Sequence, residues 1–509
     1  MMKRFLLYRL LPVLIPLMIL GGMRIFALPS GCESCTDVYW HIHAADRPFS
    51  AMTAKSYPVT LSIWRDHFAD KEFLFHVLLK GYTGLKRLFS SPLEPPFTGA
   101  GILLLLLFLI SFVYAGVRAG IPDRMLLLCS LGVALFTPLF TYRLLMIRPH
   151  VLSMTLMMFA CGILFSGPGR WRNVILMFGM GWLYAWSYST PHLLLITAFG
   201  FGVAYFPVKG IRSFLSVLSS AAGIFCGLLI HPQSPNTFIL WKLQGIDALL
   251  TPTTGLGAGV IPIARELHPP ATLWLVTALP VFVLLYIVLM MWNRLREQNG
   301  LKQLSPECTA CALLAFLWMT AACMISLRPV EYALPMLFLA LGVLFPKILN
   351  RELFRPAGRP VVLWILLTAY LLSGVGYTIF YSSRSLSRAS AAPVEFVSVL
   401  KTAVKPGERV INIDWSDFPP LVFLAPEYEY TWGLDPMFSF TPFPKRSTLL
   451  GKLSRPVLHS SRRIRSVFQA DYAVLLRRQN VIGKNLQEHC GWQTVYDGPD
   501  GWIFKLAED

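Results

Sequence analysis

The feature that most constrains this chain is a succession of apolar runs, most of them long enough to form a helix that crosses a bilayer, separated by short loops that hold most of the basic charge. A spanning helix needs about 20 mostly apolar residues. Eleven stretches meet or approach that length: Leu10 to Leu28, Gly99 to Val117, Met125 to Phe140, Val151 to Phe165, Val174 to Trp186, His192 to Phe206, Phe214 to Ile230, Thr272 to Met291, Ala310 to Ile325, Tyr332 to Phe345 and Val361 to Tyr381. Composition agrees. With 14% charged residues, 55% apolar residues and a mean hydropathy of +0.56, a chain of 509 residues has too little charge to wet the surface of a soluble globule.

The distribution of Lys and Arg gives an independent check, because cytoplasmic loops carry the excess. With the N-terminus inside, the inner connections hold Arg118 and Arg124, Arg170 and Arg172, Lys209 and Arg212, then Arg294, Arg296 and Lys302, and finally Lys347, Arg351, Arg355 and Arg359. Eleven spans with the C-terminus outside follow. The net charge of +18 is thereby assigned to topology, and no nucleic-acid partner is expected. The basic lead Lys3, Arg4 and Arg9 precedes a run interrupted by Pro12 and Pro16, with no convincing cleavage site. We read it as a retained first span, with Arg24 reaching to the outer interface.

Two regions read as lying outside the bilayer. The first outer loop, 29–98, is rich in Trp, His and acids, and Glu72 to Phe89 reads as an interfacial amphipathic helix. The second, 392–509, carries strand patterns at Arg409 to Asp414, Tyr428 to Trp432 and Tyr472 to Leu476, an edge strand at Trp502 to Leu506, and a helix over Ile482 to His489. It lacks a glycine-rich phosphate fingerprint. The expected fold is mainly α: a polytopic transmembrane domain over 1–381, joined by a polar linker at Ser382 to Ser390 to a C-terminal extracytoplasmic α/β domain.

Ionisable groups concentrate on the outer side. If Asp37-Val-Tyr-Trp-His41 is helical, Asp37, Trp40 and His41 share one face, a combination able to hold a sugar acceptor and take its proton. The plainer alternative is a helix-start Asp, an interfacial Trp and a solvated His. Asp66, His67, Asp70, Glu72 and His76 form a second cluster. Asp66 shares a face with Asp70, and Glu72 with His76, but the cluster has no zinc-like signature. Arg143, Arg148, His150, His192, His231 and Arg328 lie at other outer edges, where Arg suits a leaving phosphate because its fork binds two oxygens. Glu331 reads as the ion-pair partner of Arg328.

Asp37-x-x-Trp-His41, the acidic pair Asp70 and Glu72 opening an apolar helix, Arg148-Pro-His150, and Arg328-x-x-Glu331-Tyr332 together resemble the large bacterial group of polytopic membrane glycosyltransferases of the GT-C class. The tail segments Asn412-Ile-Asp-Trp-Ser-Asp417 and Gly433-Leu-Asp435-Pro are similar to a pattern in its uncharacterised members. The resemblance implies a polyprenyl-phosphate sugar donor, inversion at the anomeric carbon, and a first-loop acid as catalytic base. Carried onto this chain, Asp37 is the base candidate, with His41 on its face. Asp70 or Glu72 matches the second acid, to orient the acceptor or to hold a divalent cation against the donor phosphate. Arg148, His150, Arg328 and His231 are the candidate donor-phosphate contacts. The chain departs from the pattern in having Tyr39-Trp40 for a Trp pair and Glu72-Phe73 for Glu-Trp. The expected partners are that donor, a glycan, lipid or protein acceptor, and membrane lipids, in a bacterial inner membrane. The rival expectation is a polysaccharide polymerase, ligase or flippase acting on lipid diphosphate-linked glycans. A transporter fits less well, because the ionisable residues lie at one edge of the spans and not at mid-bilayer.

Overall fold

A computed structural model describes residues 2–89, 93–248, 278–299, 305–326, 328–349, 361–453, 460–476 and 480–507. The start of the expected span at Thr272, the connection 249–270, and the basic residues Lys302, Arg351, Arg355 and Arg359 lie outside the described residues. The chain divides into two units. One comprises Met1–Ser30, Pro96–Ile230 and His268–Ala389; the other comprises Gly31–Pro95, His231–Leu267 and Ser390–Asp509.

The first unit is helical, and each of the eleven apolar stretches is helical over nearly all of its described residues. By length and composition six described stretches can cross a membrane, or seven if one bent pair counts as a span, fewer than the eleven expected. Short helices account for part of the difference: Pro149–Phe165 and Trp171–Ser187 have 17 residues each. The bent pair is Asp123–Leu135 with Pro138–Leu144, which turn by 92° where one span had been expected. Thr137 is extended there and its hydroxyl accepts from the Phe140 amide, so Pro138 opens a new helix. Conversely, Leu193–Ile230 passes as one stretch of 38 residues but folds back on itself. Gly210 has a φ of 58°, and the rings of Phe199 and Phe214 lie 5.6 Å apart. A straight helix would separate them by about 22 Å along its axis.

The helices Trp171–Ser187 and Leu215–Ile230 meet through Gly223 and Gly227. A Cβ on Gly223 would collide with the Phe178 carbonyl, and one on Gly227 would sit 3.1 Å from the Trp182 backbone. This is the close approach that a small-xxx-small spacing permits between membrane helices. Arg24 departs from its expected place: it is 1% exposed, and its guanidinium donates to the Leu145 carbonyl instead of reaching to the interface.

The second unit joins three segments that are far apart in sequence. Its five-stranded sheet has β3 (Arg409–Asn412), β4 (Glu429–Tyr430), β5 (Tyr472–Leu476), β6 (Gln493–Asp497) and β7 (Gly501–Lys505) in the order β4-β3-β5-β7-β6. β3 runs parallel to β4 and β5, and β7 antiparallel to β5 and β6. The sequence placed β7 at the edge, but its Trp502, Ile503 and Phe504 are buried and the polar, part-exposed β6 covers that side. The expected polar linker is also revised, since the helix from Val361 continues to Ser387.

The first outer loop belongs to this unit and not to the helical one. β1 (Cys32–Glu33) pairs with β2 (Ser390–Ala391), Val59 bridges to Tyr430, and the Leu61 amide donates to the Thr431 carbonyl. Trp64 stacks on Trp40 with ring centroids 5.1 Å apart, and its ring lies 5.3 Å from Phe438 and 6.4 Å from Phe418. The loop at Asp414 to Pro420 is tied into the same unit. Phe418 is in the core, Asp414 accepts from the Ser416 amide and hydroxyl, and Asp417 accepts from the Leu476 amide instead of capping the helix that follows it.

Because the core is shared, Trp64→Ala is expected to destabilise this unit by about 3–5 kcal/mol. Truncation at Ser390 should leave 31–95 aggregation-prone, read by the thermal midpoint and by size-exclusion profile in detergent.

Candidate functional site

The site begins with two helices of the second unit. Asp37–Asp46 is a helix with Asp37 in its first turn, where a carboxylate complements the helix dipole. Its spacing places His41 one turn beyond Asp37, as the sequence implied. Trp40 and His41 are 2% and 3% exposed, which rules out the interfacial Trp and solvated His. The second helix, Phe73–Leu88, follows the acidic pair directly, with Glu72 at its N-cap position and His76 in its first turn. Lys80 joins the two by donating to the Ala45 and Arg47 carbonyls at the end of the first helix.

Between these helix starts lies a connected set of buried polar groups. The Asp70 carboxylate accepts from the Glu72 amide at 3.0 Å through one oxygen and from His76 Nδ1 at 2.6 Å through the other. His76 Nε2 lies 2.9 Å from His41 Nδ1, and Glu72 Oε2 lies 3.8 Å from the same His41 nitrogen. Lys71 Nζ is 3.7 Å from the other Glu72 oxygen. Since the Asp70 carboxylate only accepts, Nδ1 of His76 carries the proton and Nε2 presents a lone pair.

Asp70 stays ionised despite its surroundings. Burial acts to raise its pKa, but the electrostatic pull and hydrogen bond of His76, the Glu72 amide and His231 outweigh it and hold the group below the usual carboxylate value. His231 packs edge-on to Phe73 at 5.2 Å, and burial lowers its pKa to about 4 against the opposing pull of Asp70. His43 is lowered to about 4 by burial, with Arg47 and His76 adding to the effect, and its Nε2 lies 3.2 Å from the Tyr57 hydroxyl.

Gln233 was not foreseen. Its amide oxygen accepts from the Asp70 backbone at 2.5 Å, while its nitrogen donates to the Met52 and Ala54 carbonyls at 3.0 and 2.7 Å. Asn236 likewise donates to the Lys55 and Phe68 carbonyls. These two amides fold the loop 52–70 so that Asp70 faces His76. No local pattern signals them, because their partners lie more than 160 residues away.

The other sequence candidates divide between the units. Asp37 is half-buried, in the same unit as Asp70, Glu72, His41 and His231. Asp66 and His67 are exposed, and Asp66 ends up in the separate short helix Trp64–His67, sharing no helix face with Asp70. Arg148, His150 and Arg328 belong to the helical unit. There His150 Nε2 is 3.0 Å from the Arg143 carbonyl, Arg148 occupies the N-cap of Pro149–Phe165, and Arg328 precedes Val330–Leu349. Glu331 forms an ion pair with Arg143.

Solved structures of one enzyme share this fold. The apo oligosaccharyltransferase of Archaeoglobus fulgidus matches with a TM-score of 0.59 at 11% identity, over 98% of this chain and 74% of that one. The form tethered to an acceptor peptide containing the NVT sequon gives 0.58, with the same identity and coverage. The complex with an inhibitory peptide and a dolichol-phosphate gives 0.59 at 11%, over 97% and 74%. No family model and no curated relative matches the sequence. At this identity the shared property is the fold.

Two predictions follow from the site. Gln233→Ala strands the Asp70 amide and two carbonyls, so a loss of about 1–3 kcal/mol is expected for each group left unpaired, seen as a lowered thermal midpoint. For His231, the unfolded chain takes up a proton near pH 6.5 and the folded protein only near 4. Its contribution is therefore complete above pH 6.5 and falls by about 1.4 kcal/mol per pH unit towards 4. His231→Gln should flatten that part of the stability profile, and an unaltered slope would refute the assignment.

Proposed function

We propose that this chain is a membrane transferase that moves a sugar from a lipid-phosphate donor to an acceptor. The observation that carries this reading is the fold it shares, over 98% of its length, with an oligosaccharyltransferase solved with a dolichol-phosphate in one form and an acceptor peptide in another. The donor we assign is a polyprenyl-phosphate sugar. The alternation of basic loops supports eleven crossings, an inside N-terminus and a reaction at the extracytoplasmic face of a bacterial cytoplasmic membrane.

Asp37 is the proposed base. Asp70 and Glu72 are only 7% exposed, whereas Asp37 is half-buried at a helix start, the more accessible of the three acids. Its carboxylate takes the acceptor hydroxyl proton as that oxygen attacks the anomeric carbon. The bond from that carbon to the phosphate oxygen breaks, and the electron pair leaves with the lipid phosphate. A single displacement inverts the configuration. Arg148 and Arg328 are assigned to the donor phosphate, where a planar fork binds two oxygens and stabilises the charge that develops on the leaving group.

Asp37→Asn is expected to lower turnover about 10²- to 10⁴-fold with donor affinity little changed, since general-base assistance is lost and binding is not. Arg148→Gln or Arg328→Gln should weaken donor binding by about 1.5–3 kcal/mol, measured in nanodiscs. Full turnover by a folded Asp37→Asn protein would remove the base. Turnover of an oligosaccharide diphosphate lipid in place of the monophosphate would move the reading to a polymerase or ligase.

A further inference from the structure

We infer that His41, Glu72 and His76 form a three-ligand site for a borderline divalent metal ion of the Zn²⁺ class, with Asp70 as the positioning residue behind His76. The inference stands apart from the transfer reaction, and no step of that reaction depends on it.

The donor set is the first argument. His41, Glu72 and His76 each offer one ligand atom, all within 4.8 Å of one another, and all three residues are buried. Two imidazoles and a carboxylate suit Zn²⁺ and its neighbours, and three protein ligands leave a fourth position for water. Metal–ligand bonds of about 2.0–2.2 Å in a tetrahedron place ligand atoms about 3.3–3.6 Å apart. The separations of 2.9 Å between the imidazole nitrogens and 3.8 Å from His41 to Glu72 bracket that range, and no pair exceeds 4.8 Å, so side-chain shifts of about an ångström or less complete the geometry.

The surroundings are the second argument. A metal-bound imidazole commonly donates its other nitrogen to a carboxylate, which fixes the tautomer and makes the ring more basic. Asp70 accepts in this way from His76 Nδ1 at 2.6 Å and is itself oriented by the Glu72 amide and by Gln233 on its backbone. The lone pair of His76 Nε2 is thereby aimed at the point shared with His41 and Glu72. The first-order charges also fit. Lys71 lies 3.7 Å from Glu72, and Asp70 is held by His76, so a bound dication would offset carboxylate charge held out of water.

The test uses the full chain purified in detergent, treated with a chelator and titrated with Zn²⁺, then with Co²⁺ as a spectroscopic probe. About one equivalent of Zn²⁺ by mass spectrometry, a raised thermal midpoint, and Co²⁺ visible absorption of tetrahedral intensity are expected. His41→Ala, Glu72→Gln and His76→Gln should each abolish stoichiometric binding, and Asp70→Asn should weaken it about 10- to 100-fold. Where a variant does not fold, X-ray absorption of the Zn²⁺-loaded unmodified chain reads the same site through two imidazole ligands and one carboxylate ligand. Asp37→Asn should bind metal normally, which separates this site from the proposed base. Absence of a stoichiometric ion, or binding indifferent to these replacements, overturns the proposal and leaves the three groups as a hydrogen-bonded relay.

Discussion

The stack of Trp40 on Trp64 lies where the second unit closes, and the arrangement of the ionisable groups depends on it. Trp40 belongs to the helix that carries Asp37 and His41, and Trp64 to the loop that leads to Asp70. Phe418 and Phe438 pack on them from a segment more than 350 residues further along the chain. Burying such large rings is among the strongest local contributions available to a small core. The polar groups are thus held on a rigid apolar base, and their geometry is set by packing that none of them provides.

On that base, polar satisfaction selects the conformation. Asp70 is buried, and a buried carboxylate is costly unless each oxygen has a donor. Both oxygens are occupied, and the backbone amide of the same residue is held by Gln233. The result is a first turn of the Phe73–Leu88 helix organised by hydrogen bonds from outside the helix. The same arrangement that satisfies Asp70 orients His76, so stability and site geometry share one set of contacts.

The helical unit follows another physical rule. Lipid offers no hydrophobic drive between helices, so association depends on close packing and internal hydrogen bonds. Gly223 and Gly227 allow the first, and the hydroxyl cluster of Ser153, Tyr184 and Tyr332 supplies the second, with Ser153 Oγ 2.6 Å from the Tyr332 hydroxyl. Arg24 and Arg143 obey it as well. A buried guanidinium needs an acceptor, and each finds one in its own unit, in the Leu145 carbonyl and the Glu331 carboxylate respectively.

Much of this was legible along the chain. Apolar run length marked the helices, and short apolar runs located β3 and β5, whose side chains fill the two cores on either face of the sheet. The helical spacing of Glu72 and His76 was readable too, since residues four apart on a helix are neighbours wherever the helix sits. What the sequence by itself determined were these local relations, which depend only on backbone geometry and the polarity of adjacent residues. The tertiary structure alone decided that the first outer loop shares a core with residues 390–509, that Gln233 holds Asp70, that Glu331 pairs with Arg143, and that His41 meets His76. Those contacts join residues tens to hundreds of positions apart, and the free energy that selects them comes from burial and hydrogen-bond satisfaction in the folded chain, which no local pattern encodes.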